Sequence, residues 1–266
     1  MKKLNESTLV ETKKAQGSFK IDAYLLKKFV NLVEVVKDEP IFDFSKDGVH
    51  CRHMNDSRVS MIDILLKSDA ILPIFVNDSG RFSIQINTVI RELQRIEKGE
   101  SAFVAIELDR LAVSLVGKEQ FRQFLVPLME TEVEETPKPK VPKEKLVYAK
   151  IRIKPFLRIL RDVGDYMELK TDLQTLVMSR GGKDSLYNYY ARLDKQIHSG
   201  IEELTISSDD QKALFSMAYL IDAVRNFQNF SDVIELEFSS DMPLKIFFDN
   251  EIMTLQYWVA PRIEVE

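Results

Sequence analysis

The chain holds a single cysteine, Cys51, so no internal disulfide is available and stability must come from a packed core. No apolar run reaches the roughly 18 residues that a membrane-spanning helix needs. The first residues, MKKLNESTLV, lack the apolar stretch of a signal peptide. These absences predict an intracellular, reducing location, cytoplasmic or nucleoid-associated, or nuclear in a eukaryotic source. Histidine is equally scarce: only His50, His53 and His198 occur. Cys51 sits between the first two, but strand alternation sends it to the opposite face from His50, which argues against a metal site. There is no Gly-rich phosphate loop, and acid pairs such as Asp209-Asp210 sit in polar turns. Catalytic residues, metal and cofactor are therefore all expected to be absent. An enzyme reading, for example a metal-dependent nuclease, would need metal-stimulated turnover from the purified chain.

What is present is enough for two ordinary domains. The chain has 266 residues, 45% of them apolar and 30% charged, with 37 basic against 42 acidic side chains and a net charge of −5. A connector over 130–145 includes TEVEETPKPKVPKEK, with three prolines and no large apolar residue. Such a segment cannot bury enough surface to offset its ordering, and proline favours an extended path. The expected organisation is a tail over 1–17, a first domain over 18–129, the connector, and a second domain over 146–266.

Each side of the connector tells a similar story. Asp22 offers an N-cap to a helix whose apolar positions are Leu25, Leu26, Phe29, Val30, Val33 and Val36. Strands are expected over 41–44, 49–54 and 59–66, with Asp47-Gly48 as the first turn. Asn87 or Thr88 would cap a second helix buried through Val89, Ile90, Leu93 and Ile96 and ended by Gly99, followed by strands over 102–108, 111–116 and 121–128. Past the connector a strand over 147–153 runs into a helix with Pro155 at its first position and Phe156, Leu157, Ile159, Leu160 and Val163 buried. Strands follow over 166–170, 175–179 and 186–193. Ser216 would cap a fourth helix packed through Met217, Leu220, Ile221, Val224 and Phe227, before strands over 233–238, 244–248 and 254–259. A helix followed by about three strands thus recurs four times. FVAIEL at 103–108 answers VIELEF at 233–238. The fold class predicted is α+β: two similar domains, each with two helix-plus-strands repeats and its helices on one sheet face. Chance self-similarity within one ordinary α+β domain is the alternative.

The basic residues fall on the outer faces of these helices. Arg91, Arg95 and Lys98 stand at i, i+4 and i+7. Arg158 and Arg161 mark the third helix with Lys154 at its start, Lys27 and Lys28 lead the first, and Arg225 stands alone on the fourth. Any one stripe alone reads as a solvated helix face. Four stripes on equivalent repeats read as a surface for a phosphate backbone. With no zinc spacing, basic zipper or RNP-type aromatic motif, binding would position the protein without reading bases.

Several segments resemble one family. DEP at 38–40, DGV at 47–49 and MNDSRV at 54–59 look like the first-domain signature of PCNA-type DNA sliding clamps, most of all archaeal ones. DMPLK at 241–245 and WVAPRIE at 258–264 resemble their C-terminal signature, and Tyr219-Leu220 with its helix also matches. The resemblance spans about 18–266 and implies a trimeric ring, formed by this chain itself or with paralogous subunits. Helices would line its channel and sheets its outer wall. The ring would encircle double-stranded DNA and tether DNA polymerase, clamp loader, flap endonuclease and DNA ligase through short peptide motifs, conferring processivity with no membrane role. By position, the family's channel cations fall on Lys27, Lys28, Arg91, Arg158, Arg161 and Arg225; Arg95 and Lys98 are added from helical spacing. The partner-peptide pocket falls on Met54, Val59, Met61, Val141, Pro142, Pro243, Val259, Ala260, Pro261 and Ile263, though the same residues would serve to pack an interdomain seam. Subunit contacts fall on edge strands, with Leu111, Val113 and Leu115 on one side and Leu186, Tyr187, Tyr189 and Leu193 on the other. Asn55 stands where an acidic residue is more usual, with little consequence expected. The proline- and lysine-rich connector predicts a looser grip on peptides. A clamp-fold scaffold that docks partners without encircling DNA is the competing reading.

Overall fold

In the computed structural model the described residues are 15–72, 74–76, 79–130, 136–139, 147–172, 175–180, 190–194, 200–208 and 210–262. They fall into two compact units, one drawn from Met1–His53, Asp63–Glu135 and Glu251–Thr254, the other from Met54–Ile62, Thr136–Asn250 and Leu255–Glu266. The tail over 1–14 and most of the connector, including Val141 and Pro142, lie outside the described residues, as do Leu186, Tyr187, Tyr189, His198 and Ile263.

The first unit begins with strand β1 (Gly17–Asp22) and helix α1 (Ala23–Glu34). Strands β2 (Ile41–Ser45), β3 (Gly48–Met54) and β4 (Ser60–Lys67) follow, then the short β5 (Ile74–Val76) and β6 (Gly80–Ser83). Helix α2 (Ile86–Glu92) leads to β7 (Ser101–Ile106), β8 (Arg110–Val116) and β9 (Phe121–Pro127). One sheet has the order β5-β1-β7-β8-β9, and β2 pairs with both β3 and β6. The β2–β3 turn needs Gly48: its φ is +133°, and a Cβ there would lie 1.9 Å from the Leu66 carbonyl oxygen. The core sits under the helices, where Phe42 stacks between Phe29 and Phe82 at 6.1 and 5.3 Å. A cavity of about 30 Å³ there is lined by Leu26, Phe29 and Val30 of α1 and by Val104 and Val113 of the sheet.

The second unit repeats the plan with β10 (Val147–Arg152), α3 (Ile153–Val163), β11 (Tyr166–Asp172), β12 (Thr175–Arg180), β13 (Tyr190–Asp194) and β14 (Ile201–Ile206). Then come β15 (Lys212–Ser216), α4 (Ile221–Phe227), β16 (Val233–Phe238), β17 (Leu244–Asp249) and β18 (Met253–Val259). Its strands run in the orders β14-β10-β16-β17 and β13-β12-β11-β15. Phe227 of α4 meets Phe248 and Tyr257 edge-on at 6.2 and 5.5 Å.

The recurring element is thus strand–helix–three strands, not helix–three strands. β1, β6 and β15 escape the sequence reading because each is short and runs directly into a helix. β14 escapes it because IEELTI carries two glutamates on what proves to be a solvent-facing sheet margin. Helix starts shift as well. α2 opens at Ile86 rather than after Asn87 or Thr88, because Ile86 is fully buried and its N–H reaches the Asp38 carbonyl. Ser216 precedes a 3-10 turn (Met217–Tyr219) rather than capping α4 directly. Pro155 is the third helical residue, still within the turn whose N–H groups have no helical acceptor.

Candidate nucleic-acid and partner-docking surfaces

Helix α1 is held at its start by Asp22, whose carboxylate accepts the Leu25 N–H at 2.9 Å. Ala23, Leu26, Phe29, Val30, Leu32 and Val33 face the core, which leaves Tyr24, Lys27 and Lys28 on the outer side. Helix α3 divides the same way. Phe156, Leu157, Leu160 and Val163 are buried, while Lys154, Arg158 and Arg161 are exposed. Among the described residues, none of these five cations has a carboxylate within ion-pair distance, so their charge is available to a ligand. The other helices differ. Arg225 is engaged by Asp222 at 2.8 Å, and Arg91 lies 3.7 Å from Glu92. The expected stripe Arg91–Arg95–Lys98 is not one helical face. α2 stops at Glu92, Arg95 closes a 3-10 turn, and Lys98 sits beyond it, because Leu93 is fully buried and Ile96 is already extended. All three cations remain exposed.

The solvent-side face of the β14-β10-β16-β17 sheet mixes both signs, with Lys150 in register between Glu203 and Glu235 and Lys245 opposite Glu237. Tyr148 donates to Glu235 at 2.8 Å, and its phenol is pushed up by burial and by Glu235, Glu203 and Glu237 around it. Lys245 pairs with Glu237 at 3.1 Å. A phosphate backbone would be attracted at α1 and α3, where the cations have no such neighbours among the described residues.

The edge of the first sheet is β9, not the 111–116 strand. β8 is hydrogen-bonded on both sides, to β7 and β9, and Leu111, Val113 and Leu115 point into the core at 4%, 0% and 1% exposure. β9 instead leaves Phe121 and Leu125 at 46% and 51% exposure beside its unpaired side. It is tied back by Arg122, which pairs with the nearly buried Glu100 at 3.1 Å and donates to the Arg95 carbonyl at 3.0 Å. In the second unit β13, which contains Leu193, is likewise an outermost strand among the described residues.

The described pocket residues all lie in the second unit. Met61 and Val259 are core, at 2% and 0% exposure, whereas Met54, Val59, Pro243, Ala260 and Pro261 are half-buried. Ala260 N–H donates to the Val59 carbonyl at 2.7 Å. Beyond it, Arg262 N–H donates to Leu214 at 2.7 Å, and the guanidinium lies 4.2 Å from the Tyr166 ring centroid. Asn55 organises the neighbouring turn. Its Oδ1 accepts from Val59 N and Ser60 N at 2.9 and 3.0 Å, and its Nδ2 donates to Ser57 Oγ at 2.8 Å. Asn55 thus holds the turn mainly through an acceptor oxygen, which an acidic residue at this position would also supply. Asn55→Ala is expected to cost about 1–2 kcal/mol, read as a lower urea midpoint with an unchanged slope.

Comparison with known proteins points to one family. Residues 17–123 match the model of the proliferating cell nuclear antigen N-terminal domain. A DNA polymerase sliding clamp from Nitrosopumilus maritimus is 27% identical over 90% of this chain and 95% of its own length. Sliding clamp 1 of Pyrobaculum aerophilum is 26% identical over 92% and 97%. Among solved structures, PCNA from Thermococcus kodakaraensis superposes with a TM-score of 0.82 at 20% identity, over 92% of this chain and all of that one. The PCNA2–PCNA3 complex from Sulfolobus tokodaii gives 0.81 at 22% identity, over 93% of this chain and all of that one. The chain is similar to PCNA-type sliding clamps over about nine tenths of its length.

In this chain the structure joins Lys27 with Lys28, and Arg158 with Arg161, on shared helix faces, and separates Arg95 and Lys98 from the α2 face. Tyr24, half exposed beside both lysines, was not anticipated, although its i, i+3, i+4 spacing was visible. The groups with potential for chemistry are used structurally. Burial pushes the Cys51 thiol far up, which leaves it unreactive. His50 Nε2 meets Asp63 at 2.7 Å, and His53 Nε2 accepts the Ile41 N–H at 2.7 Å. Among the described residues no group of three or more His, Cys, Asp or Glu is placed to hold a metal. Among the described residues no helix is long and apolar enough to cross a membrane.

Proposed function

We propose that this chain is a working sliding clamp: three subunits close a ring around duplex DNA and tether DNA polymerase and other replication and repair enzymes, with no chemistry of their own. The observation that carries this reading is the placement of free cations. In a chain of net charge −5, the first helix of each unit presents cations that have no carboxylate partner among the described residues. Topological linkage does the holding, so the cations need only weak, sequence-independent contacts that permit sliding. Closure would pair β9 of one subunit with β13 of the next and remove two exposed edges at once.

Clamp loader, flap endonuclease and ligase would dock by short peptides beside Met54, Val59, Pro243, Ala260 and Pro261. There the Arg262 N–H already bonds to the Leu214 carbonyl of β15, and a peptide could add further main-chain hydrogen bonds. Retention on circular but not linearised DNA tests encirclement; equal retention on both would leave a docking scaffold. Whether one chain suffices is a separate question, raised by the likeness to a two-paralogue complex. A threefold mass by light scattering across a dilution series means a homotrimer, and a lone monomer means a mixed ring.

A further inference from the structure

We propose that Tyr24, Lys27 and Lys28 form one composite seat for a DNA phosphodiester, in which the tyrosine ring gathers both ammonium groups and its hydroxyl adds a donor. This rests on the clamp reading above and assigns the tyrosine a part in it. The Lys27 and Lys28 Nζ atoms lie 5.9 and 5.8 Å from the centroid of the same ring. Helical side chains lean toward the N-terminus, so residues at i+3 and i+4 converge on position i. Tyr24 is 50% exposed and contributes little to the core. The nearest acid in sequence, Asp22, is already occupied in capping Leu25 N.

The duplicated fold supplies an internal comparison. β1 ends at Asp22 and β10 at Arg152, so Tyr24 and Lys154 are each the second residue of their helix, and Lys28 and Arg158 each the sixth. Where α3 places a third cation, α1 places an aromatic ring with a hydroxyl. A free lysine loses rotamer freedom when it meets a phosphate. Two lysines already drawn to one ring lose less, so the ring substitutes pre-organisation for charge.

The test is binding of a short labelled DNA duplex by the full chain at low salt, followed by fluorescence anisotropy. Tyr24→Leu is expected to weaken binding roughly three- to fivefold, and Tyr24→Phe to lose less because the ring remains. Tyr24→Lys, which copies α3, is expected to return affinity to at least the wild-type level. Tyr24→Leu binding as tightly as wild type would overturn the proposal. So would Tyr24→Lys binding as weakly as Tyr24→Leu, or a wild-type chain that does not bind at all. Unchanged thermal unfolding of the variants keeps the comparison clean. Retention on circular DNA, measured in parallel, judges encirclement separately: its loss in every chain would sink the ring while anisotropy still judges the seat.

Discussion

In the proposed three-subunit ring, replacing Phe121 with glutamate and Leu125 with lysine is expected to leave single folded chains at micromolar concentration. Both side chains stand about half exposed, at 46% and 51%, on the strand whose outer backbone has no partner. Completing their burial across a subunit contact contributes about 1 kcal/mol each. Placing a charge there instead adds a desolvation cost of several kcal/mol. The proposed ring would repeat that contact three times, so the effect would multiply. The monomer should stay folded, because the core side of β9 is Val126 at 1% exposure with Phe124 half-buried, and the Glu100–Arg122 pair is untouched. Light scattering with circular dichroism reads both outcomes. A threefold mass in the double variant would show that β9 is not the contact.

The second large effect is expected on α3. Removing Arg158 and Arg161 together takes away two exposed guanidiniums that no carboxylate engages among the described residues. In a three-subunit ring that is up to six phosphate contacts. Each lost contact should flatten the dependence of log affinity on log salt by about 0.9. At moderate salt the double alanine variant should bind duplex DNA at least about tenfold more weakly. Arg225→Ala should change affinity less than about twofold, because Asp222 already holds that side chain at 2.8 Å. Equal losses at Arg225 and at the α3 pair would mean that helix cations act only through net charge.

The helices and most strands were legible because their information is local. Asp22 caps α1 through an atom three residues away, and the buried faces of α1 and α3 follow the 3.6-residue period. Fourfold repetition was visible for the same reason, since duplicated units keep their apolar spacing. Short strands were less so. β5 is three residues long, and its place beside β1 comes from a partner over fifty residues away. The family resemblance carried the site residues by position, yet it placed the edge one strand early. Leu111, Val113 and Leu115 alternate as well as Phe121 and Leu125 do, and no local pattern says which of two adjacent strands has a neighbour on its far side.

By itself the sequence determined the class of protein: two units, no disulfide, apolar helix faces and cations placed opposite them, because these follow from composition and periodicity. Only tertiary structure decided which cations are free, which strand is left unpaired, that α2 ends before Arg95, and that Asn55 holds a turn. Each of those depends on where a distant carboxylate, strand or carbonyl comes to rest, and that is settled by packing rather than by neighbours in the chain.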